Sequence, residues 1–294
     1  RIVLQKTGGN PFFTREFLIT LESENLIYFD DGWCYDREKI QEADLSDNLA
    51  DHMTRRILNL PDDLMRLLKF GACIGGSFDP ELVSRITGHT GRDIFNDLAE
   101  IVNQGIIIKT GSLYRFTHDK IKAAVYAQIG EKDKELIHHM IGMTLLRSGG
   151  VNDSNIFNIA HHLNASSSIT ALASEKVDLA LINYNAGMRA KRAAAFEAAY
   201  LYFIKGIESL PPRSWETDYD LTLRLNIECG EAGYLNGRQA EAETYFKQVM
   251  IQSRNVLDRI RIYEVRIAWQ VMQFHPEESI RIGTEALRLL GISM

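Results

Sequence analysis

Apolar residues recur along most of this chain at the three-to-four-residue spacing of amphipathic helices, broken twice by short aromatic or β-branched runs that read as strand pairs. Ile2-Val3-Leu4 opens a helix that breaks at Gly8-Gly9-Asn10-Pro11. A second helix follows, with Phe13, Phe17, Leu18 and Leu21 as its apolar stripe. Pro11 suits the first turn, because the N–H it lacks would have no helical partner there. Leu26 to Tyr35 predicts a hairpin turning at Asp30-Asp31-Gly32.

Residues 47–130 predict the next unit. Ser46 or Asp47 can cap a helix through Ile57, ending before Pro61. Pro61-Asp62-Asp63 opens another, with Leu64, Leu67, Leu68 and Cys73 on one face and Gly75-Gly76 as its stop. Asp79-Pro80-Glu81 starts a short helix to Ile86. Thr90 caps a third, from Arg92 to about Asn103, whose apolar positions are Ile94, Leu98, Ile101 and Val102. Gly105 suits the left-handed helix end. Ile106-Ile107-Ile108, the turn Lys109-Thr110-Gly111-Ser112 and Leu113 to Phe116 then read as strand, turn, strand. Three helices followed by a β-hairpin predict a winged helix.

From about residue 176 the chain repeats itself. Ala199-Phe203-Gly206, Ala242-Phe246-Val249 and Ser279-Gly283-Ala286 share one spacing, and Gly187 and Gly230 stand at matching places upstream of the first two. The pattern resembles the tetratricopeptide repeat, whose period is ~34 residues. Here small residues are expected to let paired helices approach, and the aromatic to fill the gap to the next repeat. The longer periods predict elongated, irregular repeats, and Pro211-Pro212-Arg213-Ser214-Trp215 an extended connector. The fold class expected is mainly α, a winged-helix domain followed by a tetratricopeptide-like α-solenoid, with small β-hairpins near 26–35 and 106–116. Its divisions are 1–46, 47–130, a helical connector over 131–175 with loops at Ser148-Gly149-Gly150 and Ala165 to Ser168, and repeats over 176–294. Opening on Arg1 in mid-helix and closing on Leu289-Leu290-Gly291, the chain reads as an excised segment with its array cut off.

Composition narrows the function classes. With 33 basic and 39 acidic residues the net charge is −6, which gives no footprint for non-specific nucleic-acid binding. The exposed face expected for the third helix (Arg92, Asp93, Asn96, Asp97, Glu100) is mostly acidic and would repel phosphates. Cys34, Cys73 and Cys229 lie far apart and predict free thiols in a reducing compartment. No apolar run reaches the ~18 residues of a membrane span, so a cytoplasmic, membrane-free protein is expected. His138-His139 and His161-His162 are adjacent pairs, whose rings leave a helix about 100° apart, whereas zinc favours i, i+4 spacing. No metal site is expected, and no catalytic residue either. The chain has no GxxxxGK[ST] loop, no nucleophile elbow, no kinase Gly-rich loop and no HRD run.

Two short motifs carry chemistry. Gly9-Asn10-Pro11 opens the second helix; Tyr114-Arg115-Phe116-Thr117-His118-Asp119-Lys120 closes the predicted winged helix, where Asp119 is expected to cap the next helix. In this order, and followed by helical repeats, they resemble the C-terminal half of the nucleotide switch of STAND-class proteins, a regulatory ATPase module of large bacterial signalling kinases. The resemblance implies that Gly9 and Pro11 belong to the GxP turn whose proline packs on adenine, and that His118 reaches the phosphates of bound ADP. Both roles need a nucleotide domain this chain lacks, so ATP or ADP with magnesium would belong to the parent protein and not to this segment. On residues alone, Gly9-Asn10-Pro11 reads as a helix-breaking turn, and His118 can be a structural residue. The implied function is non-catalytic: coupling of a nucleotide-dependent switch to partner sensing, in a serine/threonine or multi-sensor histidine kinase of two-component signalling. The partners would be a protein in the repeat groove and the protein's own nucleotide-binding and kinase domains. A STAND-type transcription regulator and a free-standing repeat scaffold are the alternatives.

Overall fold

The computed structural model describes residues 2–7, 11–30, 32–42, 57, 60–88, 91–169 and 172–292. Among the described residues it is mostly helical, with five short strands in two sheets. The chain divides into two compact units, 1–144 and 145–294.

In the first unit, helices α1 (Ile2–Thr7) and α2 (Pro11–Ser23) precede a hairpin of β1 (Ile27–Phe29) and β2 (Trp33–Tyr35), and then α3 (Arg37–Glu42). Phe29 pairs with Trp33 across the turn. Phe17, Leu21 and Ile40 are buried together. Leu18 departs from its expected place in the stripe: it is 43% exposed, because the buried arc of α2 runs through Phe17 and Leu21 and turns position 18 outward. The helix expected to start near Ser46 lies outside the described residues apart from Ile57, which is helical and buried.

Helix α4 (Asp62–Ile74) begins after Pro61, with two carboxylates in a first turn whose free N–H groups favour negative charge. Leu64, Leu67, Leu68 and Cys73 are buried, and Gly75 ends the helix at φ 142°. Strand β3 (Ser77–Phe78) comes next, then α5 (Pro80–Thr87), where the Asp79 carboxylate accepts from the Glu81 amide at 2.9 Å. Helix α6 (Gly91–Asn103) buries Ile94, Leu98 and Ile101, and Gly105 takes the left-handed conformation at φ 72°. Thr90 lies outside the described residues.

Strands β4 (Ile107–Thr110) and β5 (Leu113–Phe116) pair with Thr110 opposite Leu113. Lys109 and Thr110 are therefore strand residues, not turn; the reversal is confined to Gly111-Ser112, since Gly111 can adopt φ 64°. The sequence also gives no hint of β3, which pairs with β5 and makes the sheet three-stranded in the order β3-β5-β4. Phe78 anchors it, stacked on Tyr114 with ring centroids 6.1 Å apart and against Phe116 at 6.2 Å. Helices α7 (Asp119–Ala127) and α8 (Glu131–Gly149) follow.

The second unit contains α9 (Ile156–Asn164) and three successive helical hairpins. These are α10 (Ala173–Arg192) with α11 (Phe196–Ser209), α13 (Tyr219–Leu235) with α14 (Gln239–Gln252), and α15 (Val256–Met272) with α16 (Pro276–Leu289). A single turn, α12 (Ser214–Thr217), fills the connector after Pro211-Pro212. Asn164 and Asn183 exchange side-chain hydrogen bonds at 2.8 Å and tie α9 to α10.

The aromatics share a buried core with the next hairpin, Phe203 with Leu225 and Cys229 and Phe246 with Ile262, and each also packs on a glycine of its own hairpin. A Cβ on Gly187 would stand 2.5 Å from the Phe203 ring, and one on Gly230 would stand 2.2 Å from Phe246. Each ring is pressed onto the glycine of its own hairpin, because only the missing side chain leaves room for it. Each helix–helix turn carries one left-handed residue: Ala194 (φ 56°), Gly237 (φ 73°) and Phe274 (φ 59°). After each, an amide reaches back five residues (Ala195 to Ala190, Arg238 to Gly233, His275 to Gln270), a helix end built three times.

Polar ties join successive hairpins. The Lys191 ammonium contacts Glu228 at 2.7 Å and Glu231 at 2.8 Å. Tyr200 donates to Glu241 at 2.8 Å, and Arg238 pairs with Glu197 at 2.9 Å. Arg266 and Tyr234 both bond Glu243. Arg254 lies over the Tyr219 ring and donates to the Trp215 carbonyl at 3.0 Å, which braces the connector.

Candidate functional site

Pro11 is the first residue of α2, as its missing N–H favours, whereas Gly9 and Asn10 lie outside the described residues. Helix α2 packs on α1 and β1. His118 stands elsewhere in the unit, at the start of α7, which packs on α4 and β5.

The helix cap is His118 and not Asp119. With φ −149° and ψ 143°, His118 is still extended, and its Nδ1 accepts from the Lys120 amide at 3.1 Å. Asp119 is already the first helical residue, one position too late to cap, and its carboxylate serves the first turn instead. This hydrogen bond has a chemical consequence. A ring that accepts through Nδ1 carries its proton on Nε2. His118 is exposed, so that Nε2–H is a hydrogen-bond donor turned away from the cap it supports.

The preceding strand delivers the histidine. Tyr114 and Phe116 are buried while Leu113 and Arg115 are exposed, the alternation of a sheet with one covered face. Thr117 then leaves the sheet, donating through Oγ1 to the Gly105 carbonyl at 2.9 Å, which fixes the end of β5 against the end of α6. Arg115, His118 and Lys120 are all exposed in this stretch. The exposed residues of α6 include Asp93, Asn96 and Glu100, the acidic face expected of it.

Near the N-terminus is a cleft of about 1030 Å³ lined by α1, α2, the β1–β2 hairpin and α3, with Leu18, Ile19, Trp33 and Tyr35 among its walls. Trp33 and Tyr35 are 68% and 67% exposed. Sequence reasoning identified the hairpin but not its outward aromatics, because strands this short leave open which face is covered. A second cavity, of about 460 Å³, lies in the repeat unit beside the 211–215 connector.

Of the histidines in adjacent pairs, His138 and His162 are buried and His161 is exposed. The His161 and His162 rings meet edge to face with centroids 5.1 Å apart, and a ring nitrogen of each lies within 4.8 Å of one of His138, a grouping that the expectation of no metal site did not foresee. Cys73 and Cys229 are buried free thiols in helices, which burial pushes up to about 11 and about 12 respectively. Cys34, in β2, is less enclosed. Among the described residues no helix is long and apolar enough to cross a membrane.

No family model matches the chain. It is similar to hybrid signal transduction histidine kinase G of Dictyostelium discoideum, with 24% identity over 359 aligned residues. The match takes in 99% of this chain and 10% of that protein, so the chain spans about a tenth of that relative's length. That relative comes from an amoeba, and the bacterial setting implied by the sequence resemblance finds no support in it. Among solved structures, the chain aligns over 98% of its length with 46% of the signal transduction ATPase with numerous domains (STAND) that carries a tetratricopeptide repeat sensor, from Pyrococcus horikoshii. The identity there is 12% and the TM-score 0.39.

Proposed function

We propose that this chain is a regulatory, non-catalytic segment of a larger signalling kinase. In this reading, helices α4, α5 and α6 with the three-stranded sheet form a winged helix that closes over nucleotide held by another domain. The helical hairpins bind a protein partner and bias that closure. The observation that carries the switch is His118. Its Nδ1 is committed to the helix cap, which leaves the Nε2–H of this exposed residue as the ring's donor for a phosphate oxygen, and the exposed Arg115 and Lys120 add positive charge in the same stretch. These groups suit ADP, whose phosphates accept such donors; magnesium and the phosphate-cradling loop would come from the nucleotide domain. Similarity to a histidine kinase across nearly the whole chain favours a kinase parent over a transcription regulator. The acidic exposed residues of α6 argue in the same direction, against DNA as partner.

Calorimetric ADP binding by the protein extended upstream through its nucleotide domain tests the reading. His118→Ala removes cap and latch together. His118→Asn keeps a side chain that can cap a helix and lacks the ring donor. The latch reading expects both variants to bind ADP about tenfold more weakly, ~1.4 kcal/mol, with the Asn variant melting like wild type. Wild-type affinity in the Asn variant would leave His118 a cap alone.

A further inference from the structure

The cavity beside the 211–215 connector is lined by that connector and by residues of α11, α13 and α14. Leu210, Pro211, Trp215 and Tyr245 give it an apolar and aromatic wall, and at about 460 Å³ it is within the range of small-molecule sites. Three nearly fully buried polar residues also line it: Thr222 (2% exposed), whose hydroxyl donates to the Asp218 carbonyl at 2.9 Å, Asn226 (4%) and Ser214 (8%).

The hydrogen bonding of Asn226 and Ser214 is incomplete. Asn226 donates through Nδ2 to the Thr222 carbonyl at 2.8 Å, which leaves its Oδ1 to accept; among the described residues it has no donor. The Ser214 hydroxyl likewise has no partner among them. Neither atom is among the enclosed unpartnered ones of the described residues, which are His139 Nδ1 and Asn236 Nδ2; both atoms open onto the cavity, where solvent or a ligand can bond them. The only charged lining residue, Arg213, is engaged by Glu216, with Nε 3.1 Å from the carboxylate. No unpaired charge is therefore offered to an ion, and an anion would face the Asn226 carbonyl oxygen.

We propose that this cavity is a binding site for a neutral small molecule with a flat or apolar body and an amide. The amide N–H donates to Asn226 Oδ1, its carbonyl accepts from the Ser214 hydroxyl, and the body lies against Trp215 and Tyr245. The site is separate from the His118 switch and independent of the reading given for it.

Benzamide is the probe, with benzoate as its charged counterpart. The chain has three tryptophans, Trp33, Trp215 and Trp269, so three indole N–H resonances report by NMR, and Trp215→Phe assigns the relevant one. Titration with benzamide is expected to move the Trp215 resonance saturably and leave the other two unmoved, with benzoate at least about tenfold weaker. Asn226→Leu is expected to abolish the saturable shift. Because Asn226 is buried and its loss can disturb folding, Gln248→Trp at the exposed mouth provides a second variant, expected to block binding with an unchanged melting temperature. No saturable shift at Trp215 up to the solubility of benzamide overturns the site. Equal binding of benzoate, or undiminished binding by a folded Asn226→Leu, overturns the ligand chemistry.

Discussion

Ile267 and Gly283 exchange the sizes that the two preceding hairpins assign to the same positions. Where Gly187 faces Phe203 and Gly230 faces Phe246, the last hairpin sets the Ile267 side chain 3.8 Å from the place a Cβ on Gly283 would occupy. In each hairpin one helix supplies the bulk and the other yields the space. What the repeats preserve is one glycine opposite one bulky apolar side chain, with a looser fit at Ile267 than at the two phenylalanines.

That relationship predicts a compensating pair. Gly230→Ala drives a Cβ into the Phe246 ring and is expected to cost about 1–3 kcal/mol. Phe246→Leu alone leaves a void and also destabilises. Combined, the two should recover part of the loss, with a coupling of about 0.5–3 kcal/mol in a double-mutant cycle. Strict additivity in chemical denaturation would show that the two positions do not share space.

The helix–helix turns predict an asymmetry. Ala194 holds a left-handed conformation that costs an L-residue roughly 1–2 kcal/mol. Ala194→Gly should therefore raise the melting temperature, and Gly237→Ala at the matching turn should lower it. Thermal melts of the two variants check the signs, and like signs would refute the match between the turns.

The cysteines are expected to separate in reactivity. Burial lifts Cys73 to about 11 and Cys229 to about 12, so neither supplies thiolate near neutral pH, while Cys34 lies in the outer hairpin. Thiol labelling of the native protein should show one fast thiol, with the other two reacting only on unfolding. A Cys34→Ser variant with an unchanged fast phase would contradict this.

Alkaline pH should loosen the repeats. Burial, aided by Glu243, pushes the Tyr234 phenol up to about 12, and burial, aided by Cys229, does the same for Tyr245. Burial alone would lower Lys191, but its bonds to Glu228 and Glu231 more than offset this and raise it. All three groups are raised in the fold, so their stabilisation is complete below the unfolded values of about 10 for tyrosine and about 10.4 for lysine. It is lost as pH climbs through the folded values, near 12 for the tyrosines. Helical circular dichroism and tyrosinate absorbance, followed together, should show the buried phenols ionising as helix is lost. Ionisation completed before any helix is lost would refute it.

Much of the helix pattern was legible because period and punctuation agree. Pro61-Asp62-Asp63, Asp79-Pro80-Glu81 and Gly105 mark boundaries through their own backbone chemistry, and each behaves in the structure as that chemistry requires. Strand β3 was not legible, since two residues are too few to show a period; it exists because Phe78 finds Tyr114 and Phe116. His118 and Asp119 were both visible as candidates, but which of them caps α7 depends on where the chain leaves β5, and the Thr117 bond to the Gly105 carbonyl sets that point.

The repeat spacing, with Gly187 and Gly230 opposite later aromatics, is a property of the sequence alone, because intervals are all a sequence can hold. That the Phe203 ring lies on the glycine of its own hairpin was decided by the fold, as was the reversal of that pair at Ile267 and Gly283. The cavity lined by Ser214 and Asn226 was decided there too. Each depends on how surfaces distant in sequence share volume, and shared volume has no one-dimensional signature.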